Sequence, residues 1–436
     1  MNVPTENLKY INWPNNYGDP QWFIHDRFGL FIHFGLYSAG ARHEWFMTRE
    51  KIDLQAYKKY FDYFNPDLLH AKQWAQYAKK AGVKYVVITT KHHEGFALWD
   101  SKLTEYKVTN TVIKRDLLYE IVEAMREEGL KIGFYHSLID WNHPDFIIDG
   151  LHPLRDDVSK RSLANRNMDT YIEYLKGQIR ELLTNYGEIN YLWFDFSYSH
   201  RDWGWAKGKG AVDWRSEELE KLVLELQPNI LLNDRLDLNR GIMTPEQFQP
   251  NRLNKENNQP VIWEACQTMN GSWGYHRDNL NWKSSDTLLK MLIDTVSKNG
   301  NFLLNIGPNG RGEIDENSVV RLEAIGEWMR LHARSIYGSK QSEFEAPIDC
   351  RYTQRSSQLY LHIFSWPYKH IHVKGLAGRV SYCQFLHDAS EVRFAEYDPK
   401  EVITSTETTI DRDSVVLNLP VQKPNVSIPV IELFLK

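Results

Sequence analysis

The stretch KYVVITTKHHEGF, residues 84–96, decides the fold. Tyr85 to Thr90 are apolar or β-branched, the content of a strand buried on both faces, and Lys91, His92, His93 and Glu94 follow without a spacer. A buried run that ends abruptly in titratable side chains is how a parallel sheet presents chemistry at the carboxyl ends of its strands. Outward from it, six more runs of this kind appear: Gly29 to Phe34, Lys131 to His136, Tyr191 to Phe196, Asn229 to Asn233, Val261 to Ala265 and Phe302 to Ile306. Amphipathic stretches separate them from about residue 28 to 335, the alternation of repeated βα units. A closed barrel needs eight strands, so the eighth is hidden or irregular.

The helices between the runs have readable ends. Asp116 caps a stretch with Leu118, Ile121, Val122 and Met125 at helical spacing, and Gly129 stops it. Ser216 likewise precedes Leu219, Leu222, Val223 and Leu226, ended by Pro228, and residues 168–186, 286–296 and 317–334 have the same period. After about residue 340 the helical period disappears. Closely spaced strand-like runs follow (358–364, 370–374, 380–386, 392–397, 414–419 and 428–435), which predicts an antiparallel β-sandwich. The expected organisation is a catalytic (β/α) barrel domain over residues 1–340 and a C-terminal sandwich domain over 341–436.

Composition narrows the function. With 42% hydrophobic and 25% charged residues, the 436-residue chain is able to bury a large core. A net charge of −5, with no basic run, leaves no footprint for nucleic acid or an acidic membrane surface. No window approaches the ~18 apolar residues of a membrane span. The aromatic content is high, with 15 Trp, 23 Tyr and 19 Phe, and flat apolar faces with polar rims suit sugar rings as well as they fill a core. Cys266, Cys350 and Cys383 are odd in number and widely spaced, which predicts free thiols. The opening MNVPTENLKYINW has neither a charged n-region nor an apolar stretch, so a cytoplasmic location is expected.

The residues that end the strands name the chemistry. The first ends in His33, the second in Lys91 to Glu94, the third in Tyr135 and His136, and the fourth, YLWFD, in Asp195 beside Trp193; later ones end in Asp234 and Arg235, then Glu264. A carboxylate closing an apolar strand costs several kcal/mol unless paired. Arg235 and the histidines are its candidate partners, and a purely structural Asp–Arg bridge is the alternative. His92, His93 and Glu94 also form a potential metal ligand set, but the H-x-H expected on the first strand of a metal-dependent barrel is missing. The one H-x-H, His370 and His372, lies in the sandwich and is expected to face solvent or a neighbouring strand. No metal or cofactor is therefore expected, and the histidines are assigned to substrate hydroxyls. NIGPNGRGEI, residues 305–314, suits a tight turn before a helix better than a phosphate loop.

At these residues the chain resembles glycoside hydrolase family 29, the α-L-fucosidases. WFIHDRFGLFIHFGLYS, HEWFM, AGVKYVVITTKHHEGFALWDS, GFYHSLIDW, LWFDF, LLNDR, TPEQ, WEACQTMNGSWGY and NFLLNIGPNGRGEI occur in the family's order over nearly the whole chain. The resemblance implies an irregular TIM-like (β/α) barrel followed by a C-terminal antiparallel β-sandwich, and retaining hydrolysis of α-L-fucosyl linkages. It implies Asp195 as nucleophile, with His33, Glu44, Trp45, His92, His93, Tyr135, Trp193 and Arg235 lining the fucose pocket. Glu246 of TPEQ is the expected acid/base; Glu264 is the rival, since Trp263 beside it offers the apolar setting that raises a carboxyl pKa. The expected partner is a fucosylated oligosaccharide or glycoconjugate, with no nucleic acid and no membrane, and a homo-oligomer is compatible with the sequence. A non-catalytic carbohydrate-binding protein and a metal-dependent barrel hydrolase are the alternatives.

Overall fold

A computed structural model of the chain describes residues 10–161, 166–251, 255–256, 259–398 and 410–436. Its first part is a curled parallel sheet of seven strands: β1 (Phe28–Ile32), β2 (Tyr85–Lys91), β3 (Lys131–Ser137), β4 (Tyr191–Asp195), β5 (Leu231–Leu232), β6 (Glu264–Thr268) and β7 (Asn301–Ile306). Their spatial order is β5-β4-β3-β2-β1-β7-β6. Side chains alternate across the sheet, as the pleat requires. Phe31, Tyr85, Val87, Tyr135, Tyr191, Trp193 and Leu303 fill the barrel, while Leu30, Ile32, Val86, Ile88, Phe134, Leu192 and Phe194 pack outward. Both sets are buried, which is why the strands read as continuous apolar runs.

The gap between β5 and β6 is filled by residues 242–247. Ile242 bridges Asn233, Met243 bridges Trp263 and Glu246 bridges Cys266, all in parallel sense. Backbone bonds from Met243 N–H to the Ile262 carbonyl (3.0 Å) and from Cys266 N–H to the Pro245 carbonyl (3.1 Å) carry the ladder across. This is the irregular eighth member of the barrel. Pro245 has no N–H to donate, and Gly241 (φ 96°) and Gln247 (φ 51°) bracket the segment in left-handed conformations. A regular ladder therefore does not form. β6 begins at Glu264, three residues after the Val261 expected from sequence, because its ladder with β7 starts at the Glu264–Asn301 pair.

The outer layer consists of α2 (Ala71–Lys80), α3 (Leu117–Glu127), α4 (Met168–Asn185), α5 (Ser216–Leu226), α6 (Ser285–Val296) and α7 (Glu316–His332), while α1 (Gln21–Asp26) precedes β1. Asp116 caps α3 through the Tyr119 N–H at 2.9 Å, and Ser284 caps α6 through the Thr287 N–H at 3.1 Å. From α1, Phe23 packs on Tyr85 and Tyr191 at 5.4 and 5.7 Å between ring centroids and fills the barrel interior.

Apart from the short pairing of Lys255–Glu256 with Gln259–Pro260, the remaining strands are β8 (Lys340–Gln341), β9 (Cys350–Arg355), β10 (Gln358–Ile363), β11 (His370–Lys374), β12 (Val380–Phe385), β13 (Phe394–Glu396), β14 (Ser414–Asn418) and β15 (Val430–Leu435). They form two antiparallel sheets, ordered β8-β9-β10-β15-β12 and β11-β14-β13. Leu359, Leu361, Ile431 and Leu433 face Ile371, Val373, Val415 and Leu417 across the sandwich core. On the other face of the larger sheet, Tyr360 and Val430 join the main core. Trp328 of α7 donates to the Ile428 carbonyl at 2.9 Å, and Arg351 of β9 pairs with Asp294 of α6 at 2.6 Å. His370 and His372 are exposed on β11, and the three cysteines are free and buried. Among the described residues, no helix is long and apolar enough to cross a membrane.

Candidate active site

A small cavity opens among the strand ends, lined by Phe31, His33, Trp45, His92, Tyr135, Trp193, Asp195, Phe196, Glu246, Cys266 and Trp273. Most of the lining is aromatic. Trp193 stacks on Tyr135 (5.8 Å, 22°), and Trp45 packs on His93 (4.7 Å) and Phe196 (5.0 Å).

Asp195 is the last residue of β4, with its side chain 12% exposed. Oδ2 accepts the Tyr135 hydroxyl at 2.7 Å and Oδ1 accepts Arg235 Nη1 at 3.1 Å. Burial raises its pKa to about 6, against the opposing pull of Arg235; the negative charge of Glu246 also raises it, and the Tyr135 hydroxyl and Phe196 N–H lower it. Phe196 has φ 84°, a rare conformation for a bulky residue, and turns the chain sharply just after the carboxylate. Glu246 stands on the irregular closing segment. Its Oε2 accepts the other terminal nitrogen of the same guanidinium, Arg235 Nη2, at 3.1 Å, and Oε1 accepts Trp273 Nε1 at 3.2 Å. One arginine thus binds both carboxylates, while Thr244 holds its Nε at 2.8 Å and Trp193 supports its flat face at 4.9 Å.

The histidines are buried and neutral at pH 7, because desolvation holds His33 and His93 well below the usual imidazole range and His92 down to about 3. Hydrogen bonding sets which nitrogen carries the proton. Asn305 Nδ2 donates to the Trp273 carbonyl at 2.7 Å, so its Oδ1 accepts from His33 Nδ1 at 2.7 Å and leaves the His33 Nε2 lone pair free. Ser137 Oγ donates to the Ile139 carbonyl at 2.9 Å, so His93 Nδ1 donates to that hydroxyl at 2.6 Å. The His93 Nε2 lone pair then faces Asp195 Oδ2 at 3.9 Å without a proton between them. Two acceptors so placed call for a shared donor, which a sugar hydroxyl supplies.

Glu44 is buried behind the pocket wall. It accepts the Gly274 N–H at 2.8 Å, which ties the Trp273 loop to the loop carrying Trp45, and burial lifts its pKa to about 7. Glu264 does not reach the cavity. It lies below the floor, fully buried, and accepts the hydroxyls of Tyr85 (2.5 Å) and Tyr191 (3.3 Å) and the Trp193 indole N–H (3.3 Å). Lys91, His136 and Glu94, also read as strand-end groups, are turned elsewhere: Lys91 pairs with buried Asp140 at 3.3 Å, and His136 meets Thr90 at 2.9 Å. Sequence reasoning overlooked Phe31, Phe196, Cys266 and Trp273. Phe196 was signalled only by adjacency to Asp195, and Trp273 only by its place in GSWGY. The Cys266 thiol is pushed well above its ordinary range by burial and is inert at neutral pH.

The family model described as alpha-L-fucosidase matches residues 8–334. An alpha-L-fucosidase of Dictyostelium discoideum is 31% identical over 351 residues, 73% of this chain and 72% of that protein. The tissue alpha-L-fucosidase of Rattus norvegicus is 29% identical over 378 residues, 80% of this chain and 77% of that one. Among solved structures, alpha-L-fucosidase isoenzyme 1 from Paenibacillus thiaminolyticus superposes with a TM-score of 0.88 at 43% identity, covering 96% of this chain and 98% of that one. A family 29 alpha-L-fucosidase from Bacteroides thetaiotaomicron, in a trapped covalent intermediate, gives a TM-score of 0.82 at 29% identity over 98% of this chain and 100% of that one. With a matching barrel, a matching C-terminal sheet region and a cleft carrying two carboxylates, the chain belongs to the α-L-fucosidase family of glycoside hydrolases.

Proposed function

We propose that the protein hydrolyses terminal α-L-fucosyl linkages with retention of configuration, Asp195 acting as nucleophile and Glu246 as acid/base. The observation that carries this reading is the shared clamp: both carboxylates bind neighbouring nitrogens of Arg235 beside the aromatic-lined cavity at the strand ends. Such a clamp favours the ~5–5.5 Å carboxyl spacing of retaining enzymes over the ~6.5–9.5 Å that an inverting site needs for its water. The covalent intermediate trapped in the Bacteroides relative with 2-fluoro-fucosyl fluoride supports the same route.

In the first step an Asp195 oxygen attacks the anomeric carbon as the glycosidic C–O bond breaks, and the Glu246 carboxyl gives its proton to the departing oxygen. In the second, Glu246 removes a proton from water, which attacks the anomeric carbon and releases Asp195 as carboxylate. Tyr135 and Arg235 hold the attacking group in line. His33 and His93 accept sugar hydroxyls through their free lone pairs, and the aromatic walls face the apolar side of the ring and its C6 methyl.

Asp195→Ala is expected to lose turnover of an aryl α-L-fucoside by several orders of magnitude, with azide partly restoring it. Glu246→Ala should suffer most on poor leaving groups and much less on activated aryl fucosides. Wild-type proton NMR should detect α-fucose first, before mutarotation. Initial β-fucose, or near-normal turnover by Asp195→Ala, would overturn the assignment.

A further inference from the structure

Glu264 is a carboxyl that the proposed reaction does not use, in a place where its burial demands a reason. It enters the barrel from the first position of β6, directly below the cavity floor, and is fully buried. Its acceptors are occupied by neutral donors from two other strands: Tyr85 of β2 on Oε1, and Tyr191 and Trp193 of β4 on Oε2. Among the described residues no lysine or arginine pairs with it. An unpaired buried carboxyl is several kcal/mol worse than an aliphatic side chain, so stability alone argues against one here.

The Trp193 indole supplies the reason. Its N–H points down to Glu264, while its ring forms part of the floor. Tyr135 stacks on that ring at 5.8 Å and Arg235 lies over it at 4.9 Å. These are the two side chains that bind Asp195, one on each oxygen. An indole N–H donates one hydrogen bond and accepts none, so a single acceptor below the floor fixes the rotation of the ring. We infer that Glu264 is a positioning residue: it locks Trp193 in the orientation on which Tyr135 and Arg235 rest, and through them aims the Asp195 carboxylate. The inference rests on the proposed nucleophilic role of Asp195 and replaces the acid/base role considered for Glu264 from sequence.

Three variants test it: Glu264→Leu, Glu264→Gln and Trp193→Phe. Glu264→Leu removes the acceptor, and kcat/KM should fall ~100-fold, the scale of an ångström-sized misplacement of a reacting group. The fall should lie in kcat and be equal for good and poor aryl leaving groups, whereas loss of a proton donor grows with leaving-group basicity. Glu264→Gln cannot shuttle a proton but still offers an oxygen to the indole, so it should recover to within ~10-fold of wild type on an oligosaccharide substrate. In the Trp193→Phe background, Glu264→Leu should cost little more, because the group it acts through is gone. Equal penalties in both backgrounds, a leaving-group-dependent loss, or a Gln variant as poor as Leu would each overturn the inference. A second readout needs no turnover. In protein labelled with 5-fluorotryptophan, the Trp193 fluorine resonance, identified by its loss in Trp193→Phe, should stay sharp in wild type and Glu264→Gln, and shift and broaden in Glu264→Leu. An unchanged resonance in Glu264→Leu overturns the inference, whereas a wild type that releases no fucose while the resonance shifts as expected refutes the fucosidase reading alone.

Discussion

Arg235 sets the charge state of the site. Its guanidinium opposes the desolvation that would otherwise carry Asp195 above a pKa of about 6. As the proposed nucleophile, Asp195 has to be ionised, so kcat/KM should decline below an apparent pKa near 6 and level off above it. Arg235→Met removes that opposition: the acid limb should move upward and the plateau drop ~100-fold or more, measured by a pH–rate profile on an aryl fucoside. At this scale the sequence was legible where a residue ends a strand. Asp195 and His33 stand where the apolar runs break off. It was ambiguous between Glu246 and Glu264, both near strand six. Only the pleat decides that Glu264 points into the barrel below the floor while Glu246, on the neighbouring segment, reaches the opening.

Elements with a regular period were predicted closely; an irregular eighth barrel member was expected, but nothing in the sequence located it at the segment that carries Glu246. Residues 241–247, GIMTPEQ, contain no apolar run, one proline and two left-handed positions, so no strand pattern marks them. They pair because β5 and β6 leave open edges on either side. Gly241 is the hinge of this segment: at φ 96° an added Cβ would lie 2.7 Å from the carbonyl oxygens of Leu232 and Asn233. Gly241→Ala should therefore cost about 2 kcal/mol or more, a fall in Tm of roughly 3 °C or more by calorimetry, and should impair kcat through displacement of Glu246.

Across the whole molecule, the larger C-terminal sheet is buried on both faces, one against the smaller sheet and one against α7. That explains the run QLYLHI in β10: Leu359 and Leu361 face the sandwich core, and Tyr360 and His362 face the barrel helices. His362, pushed down to about 3, and His332 of α7, to about 4, are held neutral by burial, as are the histidines of the active site. In the unfolded chain such groups take up protons near pH 6.5, so acidification favours unfolding. The buried carboxyls act in the opposite sense. Glu44 and Glu264 near 7, Glu94 near 8 and Asp195 near 6 hold protons in the folded state that the unfolded chain has already released. Among the described residues nine histidines are lowered against five carboxyls raised, so the imidazoles dominate and Tm should fall between pH 7 and pH 5. A flat or rising Tm on acidification would show that the carboxyls prevail.

From its own letters the chain determined a parallel barrel, the strand ends that bear its chemistry and its family, because buried strands and helix caps are local patterns that survive in one dimension. Tertiary structure alone decided which glutamate meets Asp195, how the barrel closes and which nitrogen of His33 and His93 is free. Those depend on partners tens to hundreds of residues apart, and on a side chain's direction relative to a wall that exists only once the sheet has curled.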